Sequence, residues 1–210
     1  METITILAWI TAAFLSGSLP FSVWVGQLAL RTDIRRCGDG NPGATNVLRS
    51  GSRGWATIAL LLDSLKGAIP VGLAYFWAGL TGWALAAVAL APVMGHAFSP
   101  LLGFRGGKAV AVTFGIWTGL TLWEGPTVLG LALGLWFAII AVDGWAMLLA
   151  LFTLLTYLWL ARPEADLLTI WMGNTLILAW KHRADLAQWP QPRSWLKKKE
   201  LVGTEGTHRH

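Results

Sequence analysis

Seven apolar runs separated by short polar connections constrain this chain more than any other feature, and they lie at 4–30, 55–80, 83–102, 109–123, 126–142, 145–160 and 167–180. A bilayer core about 30 Å thick asks for about 20 apolar residues per crossing helix. The runs therefore take up most of the 210 residues and leave no room for a large water-soluble domain. Only 13% of the residues are charged and 55% are hydrophobic, outside the range of an ordinary soluble domain. The pattern predicts an all-α integral membrane protein, a bundle of about seven transmembrane helices whose fourth member is shorter than a usual span. The first run follows Glu2 rather than a basic segment, exceeds the length of a signal-peptide core and carries no Ala-x-Ala cleavage pattern. It is expected to stay as a helix. Trp55, Trp83, Trp123, Trp145, Trp159 and Trp180 fall near the ends of runs, at headgroup depth. Residues 1–186 are expected to form the membrane domain and 187–210 a basic, disordered cytoplasmic tail.

Charge fixes the expected orientation. If the N-terminus is outside, fourteen of the sixteen Lys and Arg residues fall in inner connections or the C-terminal tail, Arg162 alone is outside, and Lys66 lies within a run. The positive-inside bias thus predicts an outside N-terminus, a cytoplasmic C-terminus and a cytoplasmic active face. The net charge of +5 is read as anchoring to anionic headgroups rather than as nucleic-acid binding. The run from Arg193 to Lys199 either rests on anionic lipid or serves as a solubilising tail. A single cysteine, Cys37, excludes an intrachain disulfide and any cysteine-based zinc site, and no metal or other cofactor is expected.

Several polar features interrupt the apolar pattern. Gly38-Asp39-Gly40-Asn41-Pro42-Gly43-Ala44-Thr45-Asn46, followed by Arg49 and Arg53, is either an anion cradle of close-approaching N–H groups or a glycine-rich turn that caps the next helix. Asp39 counts against a simple phosphate cradle. Phe104-Arg105-Gly106-Gly107-Lys108 ends where a helix begins, which suits an anion at a helix N-terminus or, alternatively, two positive anchors. It is not a nucleotide P-loop, since the required glycine spacing and the hydroxyl after the lysine are missing. Asp63 and Lys66 lie within an apolar run, where charges either pair structurally or mark function. His96 and His182 lie near one membrane face, as a general base, an oxyanion donor or headgroup neighbours. Gly17-Ser18-Leu19-Pro20 breaks the first run, for close packing or for a lipid-chain groove.

Taken in order, five of these segments resemble the PlsY family of bacterial membrane acyltransferases. They are Ser16–Pro20, Gly38–Asn46 with Arg49, Asp63–Gly67, Gly95–Pro100 with Phe104–Lys108, and Trp180–Arg183, and the resemblance covers residues 16 to about 186. It implies transfer of a fatty acyl group from acyl phosphate to the 1-hydroxyl of sn-glycerol 3-phosphate, giving lysophosphatidate and phosphate in the bacterial cytoplasmic membrane. Neither metal nor coenzyme A would take part, and a PlsX-type enzyme would supply the acyl phosphate. The resemblance further implies catalytic roles for Lys108, His182, Asn41 and His96. Arg49 and Lys108 would hold phosphate oxygens, Asn41, Thr45 and His182 would position the acceptor, and Lys66 with His96 would shape the donor side. Ser18, Asn46 and Asp185, with Gly40, Gly43, Gly106 and Gly107, would complete the substrate contacts.

The chain departs from that pattern at points that bear on substrate charge. Asp39 stands in place of the usual Ser, Ala109 in place of Gly, Asp185 in place of Asn, Val112 near an expected Thr, and Ala187 and Gln188 in place of a basic pair. Asp39 would repel phosphate unless it is turned away, protonated, or paired with Arg35 or Arg36. The alternatives are a divergent paralogue with another acceptor and a small membrane transporter or anion-binding protein using Asp63, Lys66 and His96.

Overall fold

The computed structural model describes residues 2–196, and among these it holds helices and turns with no β-sheet. The first apolar run forms two helices, α1 (Thr3–Ser18) and α2 (Phe21–Leu30). After a single 3-10 turn come the short α3 (Ala44–Arg49) and then α4 (Arg53–Gly72), which ends in a π-helical turn at Leu73–Trp77. The remaining helices are α5 (Gly82–Ala97), α6 (Val110–Thr121), α7 (Glu124–Ile139), α8 (Asp143–Ala161), α9 (Ala165–Lys181) and the one-turn α10 (Arg183–Leu186).

Each apolar run is helical, but their lengths are unequal. Thr3–Leu30, Arg53–Trp77, Gly82–Leu102 and Asp143–Ala161 are four stretches long and apolar enough to cross a membrane. Helices α6 and α7 have 12 and 16 residues, which at 1.5 Å per residue span only about 18 and 24 Å. Backbone turns cut α6 short: Ala109 before it and Leu122 after it both have positive φ.

Two prolines and one lysine explain how the first two apolar segments pack. Pro20 ends α1, and the carbonyl of Leu19 finds no helical donor, because Val23 N–H goes to Pro20 O instead. Lys66 Nζ reaches across from α4 and donates to that Leu19 carbonyl at 2.7 Å. Pro70, inside α4, cannot bond the carbonyl of Lys66, and Ser16 Oγ donates to it at 2.8 Å. Each break is thus mended by the other helix. The Lys66 ammonium also pairs with Asp63 at 2.7 Å, with both side chains 1% exposed, and Ser22 Oγ donates to the other carboxylate oxygen. Burial of this charge pair is tolerable because the two charges offset each other and the Leu19 carbonyl and Ser22 hydroxyl add hydrogen bonds.

Glycines bring two helix pairs, α4 with α6 and α1 with α5, into backbone contact. Gly115 and Gly119 on α6 lie against the α4 backbone at Ser64, Ala68 and Gly72, and a Cβ on Gly115 would overlap the Ser64 carbonyl. Gly17 on α1 meets the α5 backbone at Pro92, and Gly95 on α5 meets Phe14 and Ser18 in return. Small residues at these spacings allow close helix pairs where lipid offers no hydrophobic drive. Behind them, Trp117, Leu85, Ile116, Leu151 and Leu154 fill the core.

Connections gather at two ends. At one, Arg162 pairs with Glu124 and Glu164, and Gly82 N–H donates to Asp166. At the other meet the segment before α4, the α5–α6 loop, the α7–α8 turn and the chain after α9. Residues 187–196, expected to belong to a disordered tail, are instead held against the bundle. Residues 188–195 run along the α7–α8 turn: Ala141 N–H donates to Gln191 O, Arg193 N–H to Ile139 O, Arg193 Nε to Phe137 O and Trp195 Nε1 to Ala138 O. These donors cover the free carbonyls at the end of α7, which a disordered tail would have left bare. The rest of the expected tail, including Lys197–Lys199, lies outside the described residues.

Candidate active site

The first glycine-rich loop closes around Asn46. Gly38 and Gly40 adopt positive φ, and at Gly38 the side chains of Arg49 and Asn46 occupy the space a Cβ would take. Buried Asn46 donates from Nδ2 to Asp39 Oδ1 at 3.1 Å and to Asn41 O at 2.9 Å, and accepts from Arg49 Nη1 at 3.2 Å. The second loop is tied to the end of α5. Gly107 N–H donates to His96 O, and Lys181 Nζ donates to Ala97 O at 2.9 Å and Gly106 O at 3.0 Å. Ser99 Oγ donates to Ser18 O, which fastens the same turn to the α1 break. Ala109 then turns the chain into α6 with a left-handed φ of 63°.

Between the loops runs a chain of charges. Lys108 Nζ lies 3.3 Å from Asp39 Oδ2 and 3.3 Å from Asp185 Oδ2. Asp39 Oδ1 is 3.6 Å from Arg49 Nη1, and Asp185 Oδ2 is 3.1 Å from His182 Nδ1. Gly144 at the start of α8 makes room for the His182 and Asp185 side chains. The escape expected for Asp39 through Arg35 or Arg36 is not used: Arg35 is held by two bonds to Asp33, its neighbour at i−2, and Asp39 pairs with Arg49 and Lys108 instead.

The environment tunes each group. Burial alone would raise the Asp39 carboxyl, but the Asn41 N–H, Lys108 and Asn46 outweigh it and hold it below the usual carboxylate range. Asp185 is likewise lowered: burial opposes ionisation, and His182 and Lys108 overcome it. Lys108 is raised, because the two carboxylates more than offset its burial. Burial pushes His182 down, only partly countered by Asp185, so its imidazole is neutral near pH 7. With Nδ1–H donated to Asp185, the lone pair sits on Nε2, which is buried and has no hydrogen-bond partner.

These groups border a cavity of about 190 Å³. Of the residues expected to act, Asn41, Gly43, Thr45, Arg49, His96, Lys108 and His182 line it. Gly40 and Gly106 line an adjoining open cleft of about 420 Å³ that shares Asp39, Asn41 and Lys108 and adds Arg105, Lys181 and Arg183. Asn46 and Asp185 do not line either space: the first braces the loop, the second holds Lys108 and His182. Ser18, Lys66 and Gly107 gather at the α1 break, where Lys66 is fully engaged and the Gly107 N–H is already donated. The cavity also has walls that the sequence reading missed, namely Leu60 on α4, Phe137 on α7 and Asp143 at the first turn of α8. Only Asp143 carried a local signal, an acidic residue opening an apolar run. The first turn of α6, Val110 and Ala111, faces the same space and brings the positive end of that helix to it.

Comparison with known proteins converges on one family. Residues 7–190 match the family model described as glycerol-3-phosphate acyltransferase. Among relatives, the glycerol-3-phosphate acyltransferase of Thioalkalivibrio sulfidiphilus is 40% identical over 85% of this chain and 87% of its own. Glycerol-3-phosphate acyltransferase 1 of Thermotoga maritima is 34% identical over 86% and 95%. Among solved structures, PlsY, an integral membrane glycerol 3-phosphate acyltransferase in its glycerol 3-phosphate form, superposes with a TM-score of 0.79 at 28% identity, covering 87% of this chain and 90% of that one. Its lysophosphatidic acid form gives 0.78 at 27% identity, with the same coverage of both chains.

Proposed function

The chain belongs to the glycerol-3-phosphate acyltransferase family of integral membrane enzymes, and from that membership we propose that it transfers a fatty acyl group from an acyl phosphate to the 1-hydroxyl of sn-glycerol 3-phosphate. The products are lysophosphatidate and inorganic phosphate, and the reaction needs neither coenzyme A nor a metal. The observation that carries this reading is the buried, unpartnered His182 Nε2 on a cavity that also holds Arg49, Lys108 and the first turn of α6.

In this reaction the acceptor oxygen attacks the acyl carbonyl carbon, the bond from that carbon to the phosphate oxygen breaks, and the departing phosphate carries away the hydroxyl proton. Phosphate is a good leaving group, so orientation and charge stabilisation supply much of the catalysis. His182 Nε2 accepts the hydrogen bond of the attacking hydroxyl and aims it, while Asp185 fixes the ring. Arg49 and Lys108 bind phosphate oxygens, assisted by the free N–H groups of the first turn of α6, and Asn41 and Thr45 orient the glycerol. The apolar wall of Leu60 and Phe137 fits the start of the acyl chain. His96 borders the donor side. Lys66 acts at a distance, by holding the α1 break.

The placement of basic residues supports a cytoplasmic active face in the bacterial plasma membrane, with all seven apolar runs crossing and the short α6 and α7 flanked by loops that dip from the interface. An enzyme of the PlsX type, making acyl phosphate, is the functional partner this donor requires. The test is purified protein in lipid with sn-glycerol 3-phosphate, offered palmitoyl phosphate or palmitoyl-CoA, with lysophosphatidate followed by mass. Product from palmitoyl phosphate alone supports the reading. Product from palmitoyl-CoA alone overturns the donor, and product from neither overturns the function. Lys108→Met should raise the acceptor KM or abolish turnover, and wild-type kinetics in that variant would remove Lys108 from the mechanism.

A further inference from the structure

Lys108 is held by two carboxylates at once. Its ammonium is equidistant from Asp39 and Asp185, at 3.3 Å, and both carboxylates sit where the resembled pattern carries neutral side chains. Charged groups face this cluster from every neighbouring element. Arg49 approaches from α3, His96 from α5, Asp143 from α8 and His182 from the end of α9, while Asp63 on α4 is already neutralised by Lys66. In the cavity Arg49 and Lys108 stand beside Asp39, Asp143 and Asp185, and Arg105, Lys181 and Arg183 stand along the adjoining cleft. A doubly charged phosphate entering this space must compete with two carboxylates for its lysine, and taking Lys108 leaves Asp185 with no cation at 3.3 Å.

The pairs are nevertheless displaceable. Charge-assisted hydrogen bonds settle near 2.7–2.9 Å, and both contacts to Lys108 are longer than that. The Asp39 and Lys108 side chains are 42% and 28% exposed, so water can take over either carboxylate when phosphate replaces it. Uptake of one proton, on either aspartate or on His182 Nε2, offsets the loss of the Lys108 partner, and on His182 it also turns Nε2 into a donor facing the phosphate.

We propose that Asp39 and Asp185 are specificity-determining residues of the acceptor site: they hold Lys108 between them and couple binding of a phosphate-bearing acceptor to uptake of a proton. The inference rests on the reading of this cavity as the glycerol 3-phosphate site. At neutral pH the site favours the singly charged form of a phosphomonoester over the doubly charged one, and its affinity for the acceptor falls as pH rises past the second phosphate ionisation.

The test is calorimetric titration of sn-glycerol 3-phosphate into the full chain in lipid nanodiscs, in two buffers of different ionisation enthalpy. The wild type and Asp39→Ser/Asp185→Asn are compared. The wild type should take up protons on binding, seen as buffer-dependent heat. The double variant should bind about tenfold tighter with most of that uptake lost. Asp39→Asn keeps an oxygen acceptor for Asn41 and Asn46, so it preserves the loop, and it should shift affinity in the same direction by less. Equal affinity and equal proton uptake in all three proteins overturns the proposal, as does absence of binding in all of them. If the binding result holds while no protein forms lysophosphatidate, the charge lock stands and the assignment of the reaction fails. If lysophosphatidate forms at an acceptor KM that the variants do not change, the reaction stands and the lock fails.

Discussion

Gly106 holds the Lys108 loop against α5, and replacing it with alanine should separate the fold from the site. A Cβ at Gly106 would overlap the His96 carbonyl and lie 2.8 Å from the carbonyl carbon and oxygen of Ala97. Those atoms are main chain in the last turn of α5, so no rotamer change relieves the clash. Restoring ordinary contact at about 3.5 Å with the His96 carbonyl means lifting the loop by about 1.5 Å. Overpacking of this kind costs about 1–3 kcal/mol. The lift also strains the bonds from Gly107 N–H to His96 O and from Lys181 Nζ to the Gly106 carbonyl, at about 1 kcal/mol each. Gly106→Ala should therefore destabilise by about 3–5 kcal/mol. Because Lys108 is two residues on, an ångström of displacement should lower kcat about 100-fold even in molecules that stay folded. At Gly107 the added Cβ meets the His96 imidazole, a side-chain end that can turn, so Gly107→Ala should cost only about 1 kcal/mol. Gly54→Ala, with nothing within 4 Å, serves as the neutral control. Thermal unfolding in detergent and the lysophosphatidate assay give both readouts. The reasoning fails if Gly106→Ala keeps wild-type Tm and rate, or if Gly107→Ala proves the more damaging change.

Three further outcomes follow from individual contacts. Ala109→Val places a β-branched side chain at a buried position with φ of 63° and should cost about 2 kcal/mol, read as a lowered Tm, whereas Ala109→Gly should be nearly neutral. Lys66→Met leaves Asp63 charged and buried and strips the Leu19 carbonyl of its donor, at about 3–5 kcal/mol, and Asp63→Asn/Lys66→Met should recover much of the lost Tm. Asp33, Asp39 and Asp185 all ionise more readily folded than free, Asp33 at about 2 because of its hydrogen bonds to Arg35. Groups lowered in this way stabilise the fold fully above the unfolded value of about 4, and that stability is lost as pH falls through their folded values. Unfolding midpoints should accordingly fall gently below about 6.5, where unfolded histidine takes up a proton that folded His182 refuses, and more steeply below about 4, with a smaller acid drop in Lys108→Met.

How far these features were legible in the sequence depends on whether their cause is local. Run lengths and Pro20 announced the helices and the break in the first of them, because apolar length and a missing N–H are properties of a few adjacent residues. The mending of that break by Lys66, and of the Pro70 break by Ser16, depended on the register of α1 against α4, set by packing 50 residues away in the chain. The two loops were legible as glycine-rich and basic, yet the partners of Asp39 were not. Arg35 was the nearer cation in sequence, but the turn at Ile34–Arg36 commits it to Asp33. Lys108 and Asp185, 77 residues apart, meet only because Gly107 and Gly144 let α5, α6 and α8 close on one end. Leu60 and Phe137 look like any other membrane-facing residue until the cavity beside them is seen.

The two lysines singled out by the sequence resolve into different roles once their surroundings are compared. Lys66 has a side chain 1% exposed and holds a carboxylate and a main-chain carbonyl both at 2.7 Å. Any ligand would have to unmake the mutual repair of two helices to reach it. Lys108 is more exposed, its two bonds are long, and both of its partners are reachable by water. An ammonium that exchanges one anion for another during a catalytic cycle needs loose, hydrated partners, since a tightly desolvated pair pays a large penalty each time it is broken. These surroundings favour the proposed assignment of phosphate recognition to Lys108, with Lys66 bracing the α1 break.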